Sequence, residues 1–196
     1  MSDRISCILI TGTSHAGKST LAASIGDALG WTVMSTDKLA RHPGRPWPSA
    51  PPHIEEYYKA LSDGTIYRLL LDHHGNMWPV IQRLLRDHRE QDTPLVLEGS
   101  ALRPEYLATL GSNEACMVYL YSDSDFLRER MYHQSRYHEL DRGHQRIVDK
   151  FVDRSLRDNK ETREAARLHG LLTIDVRDTD AVETFRDDLT RRLDRR

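Results

Sequence analysis

The residues Gly12-Thr13-Ser14-His15-Ala16-Gly17-Lys18-Ser19 match G-x-x-x-x-G-K-[ST] at every fixed position. Residue types at this spacing hold phosphate groups. The glycines let the backbone fold into a concave loop whose N–H groups point inward at phosphate oxygens. A helix beginning at the lysine adds the partial positive charge of its N-terminus. Lys18 supplies a mobile cation for the outer phosphates, and the Ser19 hydroxyl is placed to ligate Mg²⁺. With Thr20, the stretch Gly12–Thr20 is the expected ATP site. A plain glycine-rich turn is the competing reading. Strand, motif and helix stand in the order that favours a nucleotide site.

Other residues gather around the loop in the expected topology. Asp37 follows the apolar stretch Trp31-Thr32-Val33-Met34. A carboxylate there faces the C-terminal edge of the sheet, where α/β proteins bind ligands; Asp is also a favoured helix cap. Leu95-Val96-Leu97-Glu98-Gly99 is a strand ending in an acid. Glu98 can serve the metal through water, bind substrate hydroxyls, or cap the helix that follows. Gly99 would allow close approach to the phosphate loop. Arg41 and Arg45 lie in a proline-rich loop, with five prolines between His42 and Pro52. They either bind an acidic group of an acceptor or pack the loop against its own helices. The histidines show no metal-like spacing, which favours solvated side chains over zinc.

These residues need a scaffold. Ile5–Ile10, Trp31–Met34, Pro94–Leu97, Ala115–Leu120 and Leu171–Val176 are short, almost wholly apolar runs separated by helical patterns. Such an alternation predicts a parallel sheet covered on both faces. Leu21, Ile25, Ala28 and Leu29 recur at helical spacing, and Gly30 stops that helix. Residues 38–92 read as an insertion. Residues 132–146 fall in a polar, arginine-rich stretch with Gly143 as its expected break.

The chain has 196 residues, a formal net charge of −2 and 30% charged residues. That size suits one domain. The near-neutral balance argues against a nucleic-acid partner. No apolar run approaches the ~18 residues that span a bilayer, so no membrane partner is expected. The N-terminus lacks a signal-peptide pattern, and a cytoplasmic location is expected. Cys7 and Cys116 read as buried thiols rather than a disulfide.

The phosphate loop, the acid after the second strand, the acid ending the third and the arginine-rich segment together resemble the P-loop small-molecule and nucleotide kinases. That group includes shikimate, gluconate and adenylate kinases and chloramphenicol phosphotransferase. The resemblance implies a three-layer α/β P-loop NTPase fold, a five-stranded parallel sheet, a helical substrate insertion and a lid. It implies ATP and Mg²⁺ as cofactors and a small-molecule acceptor as partner. It gives Asp37 the role of holding or deprotonating the acceptor hydroxyl. Ser35 stands where shikimate kinases have a second aspartate, and their triple-glycine motif is absent, which puts shikimate itself in doubt. By position, Arg130 suits stacking on adenine, and Arg136 or Arg142 suits the transferring phosphate; a solvated helix face is the alternative. A GTPase would need Asn-Lys-x-Asp, and Asn159-Lys160-Glu161-Thr162 lacks the final acid. A nucleotide-binding module without turnover and a zeta-toxin-like sugar-nucleotide kinase stay as alternatives. Monomer and homodimer are both open.

Overall fold

The computed structural model describes residues 5–40, 44–47, 50–111 and 115–194. Five strands form one sheet: β1 (Cys7–Thr11), β2 (Thr32–Ser35), β3 (Leu95–Glu98), β4 (Cys116–Tyr121) and β5 (Leu172–Asp175). Their order is β2-β3-β1-β4-β5, and every pair is parallel. The register aligns the C-terminal ends: Ile10 sits beside Glu98 and Val118, and Ser35 beside Glu98. The phosphate loop, Glu98 and Asp37 therefore leave the sheet side by side.

Alternate residues of the strands build two core layers. Leu9, Leu95 and Leu97 pack under α3 (Asp63–Glu90), against Met77, Ile81 and Leu85. Ile8, Ile10, Val96 and Val118 face α1 (Lys18–Leu29) and α7 (Thr179–Asp194), through Leu21, Ile25 and Leu189. Gly30 caps α1 in the left-handed region. Cys7 is buried in β1 and Cys116 half-buried in β4, with no disulfide between them. Among the described residues, no helix is long and apolar enough to cross a membrane.

A third core lies beyond the sheet. Ile54 and Tyr58 of α2 (Pro52–Ala60) meet Ile66 of α3. Leu127 and Met131 of α5 (Ser124–Ser135) and Ile147, Val148, Phe151 and Val152 of α6 (Arg142–Leu168) complete it. The expected insertion and lid thus share one lobe. The physical reason is that the apolar stripes of α2, of the first turns of α3 and of α5 and α6 meet one another there. Helix α3 joins the layers. Its first turns belong to the lobe and its C-terminal half covers the sheet, with Ser62 Oγ accepting from the Thr65 N–H at its start (3.2 Å).

The break in the arginine-rich segment is not at Gly143. It falls at Arg136, which caps α5 in the left-handed region (φ 52°) and leads into a 3₁₀ turn over Tyr137–Glu139. Gly143 lies in the first turn of α6, where its N–H donates to Asp141 Oδ1 (2.7 Å). An aspartate that caps a helix supplies the start signal, so no glycine conformation is needed there.

Candidate active site

The loop takes the shape its glycines allow. Gly12 has φ 143°, and a Cβ there would stand 2.3 Å from the Leu120 carbonyl oxygen. Gly17 (φ 77°) caps α1, leaving the first N–H groups of the helix open toward the loop. Lys18 Nζ donates to the Thr13 carbonyl at 2.7 Å. Burial pushes its ammonium below the ordinary lysine range, against the pull of Glu98, Asp37 and Asp158. Ser19 Oγ donates to Glu98 Oε1 at 3.1 Å. Glu98 is 6% exposed.

Two alternatives at strand ends resolve here. The cap of the 3₁₀ turn over Thr36–Lys38 is Ser35, whose Oγ accepts from the Asp37 N–H (3.3 Å). The exposed Asp37 side chain lines a cavity instead. Gly99 leaves room for Thr36 rather than for the phosphate loop: a Cβ at Gly99 would lie 1.8 Å from Thr36 Oγ1. That hydroxyl is buried, without a hydrogen-bond partner among the described residues, and Thr36 lines the same cavity.

The cavity measures about 290 Å³ and has the phosphate loop as its floor. One wall is a face of α3: Leu70, His73, His74 and Met77. The opposite wall is a face of α6: Phe151, Arg154, Ser155 and Asp158. Both sets follow i, i+3, i+4, i+7 spacing, so each is one helical stripe. The α6 stripe is fixed to the loop by Thr13 Oγ1, which donates to the Ser155 carbonyl (2.9 Å). Asp158 is held by Arg103 Nη1 at 3.0 Å; both are buried, and burial raises the Asp158 carboxyl above its ordinary range despite that partner. His74 is 2% exposed and lies 3.4 Å from Ser100 Oγ, which corrects its solvated reading.

Three arginines line the cavity: Arg45, Arg130 and Arg154. Arg130 also borders a second hollow beside Gly17, Thr20, Val176 and Val182. Arg154 was not singled out by sequence. Its guanidinium lies over the Phe151 ring at 4.5 Å, Nη2 donates to Ser155 Oγ (3.2 Å), and its buried Nε has no hydrogen-bond partner among the described residues. The signal that could have found it is the polar set 154, 155 and 158 on an otherwise apolar stripe. Arg136 does not line the cavity. It is exposed and 3.9 Å from Glu139. Arg142, exposed at the start of α6, does not line it either. Arg41 lies outside the described residues.

His15 differs from the other loop residues. Its backbone is left-handed (φ 65°). Its ring lies 5.8 Å from Trp47 and edge-on to Phe151 at 6.4 Å. Nε2 sits 2.5 Å from Gln134 Oε1, and Arg45 Nη1 donates to the same oxygen at 3.1 Å. Arg45 can only donate, so the amide atom it meets is the oxygen; in a neutral ring Nε2 then carries the proton and Nδ1 accepts from Ser14 Oγ (2.9 Å). Burial lowers the His15 pKa from 6.5 to about 4, against the Gln134 hydrogen bond and with help from the charges of Arg45, Arg130 and Lys18.

Among the described residues, no three His, Cys, Asp or Glu side chains cluster as a metal cage. The Ser19 hydroxyl and the Glu98 carboxylate are hard oxygen donors beside the loop, which fits Mg²⁺, an ion that keeps several waters and takes few protein ligands.

No family model and no curated protein matches the sequence. Solved structures do. A shikimate kinase from Aquifex aeolicus superposes with a TM-score of 0.52 over 91% of this chain and 93% of its own, at 14% identity. A deoxyadenosine kinase from M. mycoides gives 0.48 over 96% and 99%, at 15%. A gluconokinase from Sinorhizobium meliloti gives 0.44 over 85% and 95%, at 19%. At such identities the fold is what is shared: this chain has the parallel α/β fold of the Aquifex shikimate kinase.

Proposed function

We propose that the protein transfers the γ-phosphate of ATP to a hydroxyl of a small molecule. The observation that carries this reading is the convergence of Lys18, Ser19, Glu98 and Asp37 at the ends of β1, β2 and β3, on one cavity with three arginines. A loop that only held nucleotide would need neither an exposed acid nor a ring of guanidinium groups facing it.

The loop amides and Lys18 bind the phosphates. Ser19 and Glu98 would hold Mg²⁺, which when bound neutralises charge on the phosphate oxygens. Asp37 orients the acceptor hydroxyl and takes its proton. The acceptor oxygen bonds to the γ-phosphorus as the bond to the ADP oxygen breaks, and ADP leaves with that electron pair. Arginines carry the negative charge spread over the equatorial oxygens. The stripe on α3 offers an acceptor two imidazoles and two apolar side chains, and Thr36 Oγ1 offers a hydroxyl without a partner among the described residues.

The test is ADP release measured against a library of hydroxylated metabolites, with mass spectrometry of the products. Acceptor-dependent ADP release with a matching phosphorylated product is expected. Tight ATP binding without acceptor-dependent release would reassign the site to a module without turnover.

A further inference from the structure

One amide oxygen gathers three segments that are far apart in sequence. Gln134 stands in the last turn of α5, His15 in the phosphate loop and Arg45 in the extended chain before α2. Oε1 of Gln134 accepts from both His15 and Arg45. All three residues line the cavity. The arrangement is fixed from behind. The His15 ring rests among Trp47 and Phe151, whose own rings meet edge-to-face at 4.7 Å. Trp47 is only two residues from Arg45, so the same aromatic packing anchors both partners of Gln134.

The positive charge of Arg45 bears on Lys18, the cation of the outer phosphates, and lowers its pKa. Arg130 is shared with the neighbouring hollow and sits near Phe126 (5.5 Å). Arg154 is committed to Phe151 and Ser155. Arg136, the expected candidate, points away on the surface. A guanidinium beside Lys18 is where charge on a transferring phosphoryl group must be met.

We propose that Arg45 is the guanidinium that meets the transferring phosphoryl group, and that Gln134, tethered by His15, is the residue that positions it. The proposal rests on the phosphotransfer reading above. His15 must be neutral to play this part. With Nε2 as a donor and Nδ1 as an acceptor it bridges Ser14 and Gln134, whereas a protonated ring would lose the Ser14 bond and place a second cation against Arg45. Gln134 is a positioning residue, since it acts through Arg45.

The acceptor is unknown, so the test uses a mimic of the transferring group: ADP with aluminium fluoride and Mg²⁺, titrated against the full chain by calorimetry. Wild type should bind ADP more tightly with fluoride than without it. Arg45→Lys and Gln134→Leu should each remove roughly 10–100-fold of that increment and leave the affinity for ADP alone within about threefold. Gln134→Glu keeps an accepting oxygen and should retain the increment at a pH above the His15 titration, where the ring is still neutral. In that variant a carboxylate faces His15, so ¹⁵N NMR should show the His15 pKa rising well above 4. A merely structural role for Gln134 would lower the melting temperature of Gln134→Leu and leave its increment unchanged. An unchanged increment in both Arg45→Lys and Gln134→Leu overturns the proposal. So does a wild type that binds ADP but gains nothing from fluoride. A wild type that binds no ADP at all overturns the phosphotransfer reading itself, which the first titration reveals separately.

Discussion

Lys18 and Asp37 face the same cavity but answer to different tests. Lys18 is half-buried with its ammonium against a backbone carbonyl, so Lys18→Met keeps the apolar stem and removes only the charge. Turnover should fall by at least about 10²-fold, as expected when a donor to the transferring phosphate is lost, while thermal unfolding stays cooperative. Retention of a tenth of wild-type ADP release would remove Lys18 from the chemistry. Asp37→Asn should lower the rate by roughly 10²–10⁴-fold with nucleotide affinity unchanged. Stability should not move, because Ser35, not Asp37, caps the turn. A third test concerns His15. Its folded pKa of about 4 lies below its ordinary 6.5, so between those values the unfolded chain binds more protons than the folded one. Stability is therefore full above about pH 6.5 and falls as the pH drops toward 4, by an amount on the order of 2 kcal/mol from this residue. His15→Gln should flatten that part of the urea-midpoint curve relative to wild type. Equal slopes would mean that His15 titrates normally. The residues of the loop and the two acids were legible because a short contiguous motif and two strand ends fix them. Arg154, His73 and His74 were not, because a polar residue on a largely buried helical stripe looks the same in sequence whether it meets solvent or a cavity, and the exposed Gln134 carries no sequence signal at all.

Among the elements, the segment between α5 and α6 departs most from expectation. Its polarity suggested few anchors. The structure supplies aromatic ones: Tyr132 and Tyr137 stack at 4.0 Å, and their hydroxyls donate to the two oxygens of Asp149 at 2.8 and 3.1 Å. Hydrogen exchange should therefore be fast only around the turn at 136–141, with Tyr132 protected. Asp149→Ala removes both acceptors at once. It should speed exchange over 132–141 by about tenfold, a local loss of roughly 1–2 kcal/mol. Protection equal to wild type would show that the ring stack alone holds the segment. The strands were read to within about two residues, since apolar runs bounded by turn residues have few alternatives. The helix break was misread because glycine is a stop signal only where a left-handed residue is required, and at 136 an arginine takes that conformation.

Over the whole molecule, α6 connects what the other elements define. It carries part of the third core, one wall of the cavity and the buried Arg103–Asp158 pair. Asp158→Ala would leave Arg103 buried with only the half-exposed Glu105 at 3.2 Å. A cost of about 3–5 kcal/mol is expected from the urea midpoint. Replacing both partners with apolar residues should cost less than the single change, because no unpaired charge then stays inside. A double variant as unstable as Asp158→Ala would assign the loss to packing. The alternation of strands and helices in the sequence was enough to foresee the sheet. It could not foresee the third core, because periodicity shows which side of a helix is apolar and not which distant helix that side will meet.

The place of β1 has a consequence for how the chain is made. Synthesis delivers β1 and the phosphate loop before either strand that flanks them, for β1 is the central strand and its two neighbours begin at residues 95 and 116. The carbonyl that Thr13 reaches belongs to residue 155. During translation, Ile8, Leu9 and Ile10 must wait without a partner strand on either side until residues 95–98 have emerged. Pairings this distant in sequence form slowly, and an unpaired apolar strand is the kind of surface that chaperones bind and that drives aggregation. The loop that floors the cavity is thus made before the strands that flank it and takes its final setting only after them.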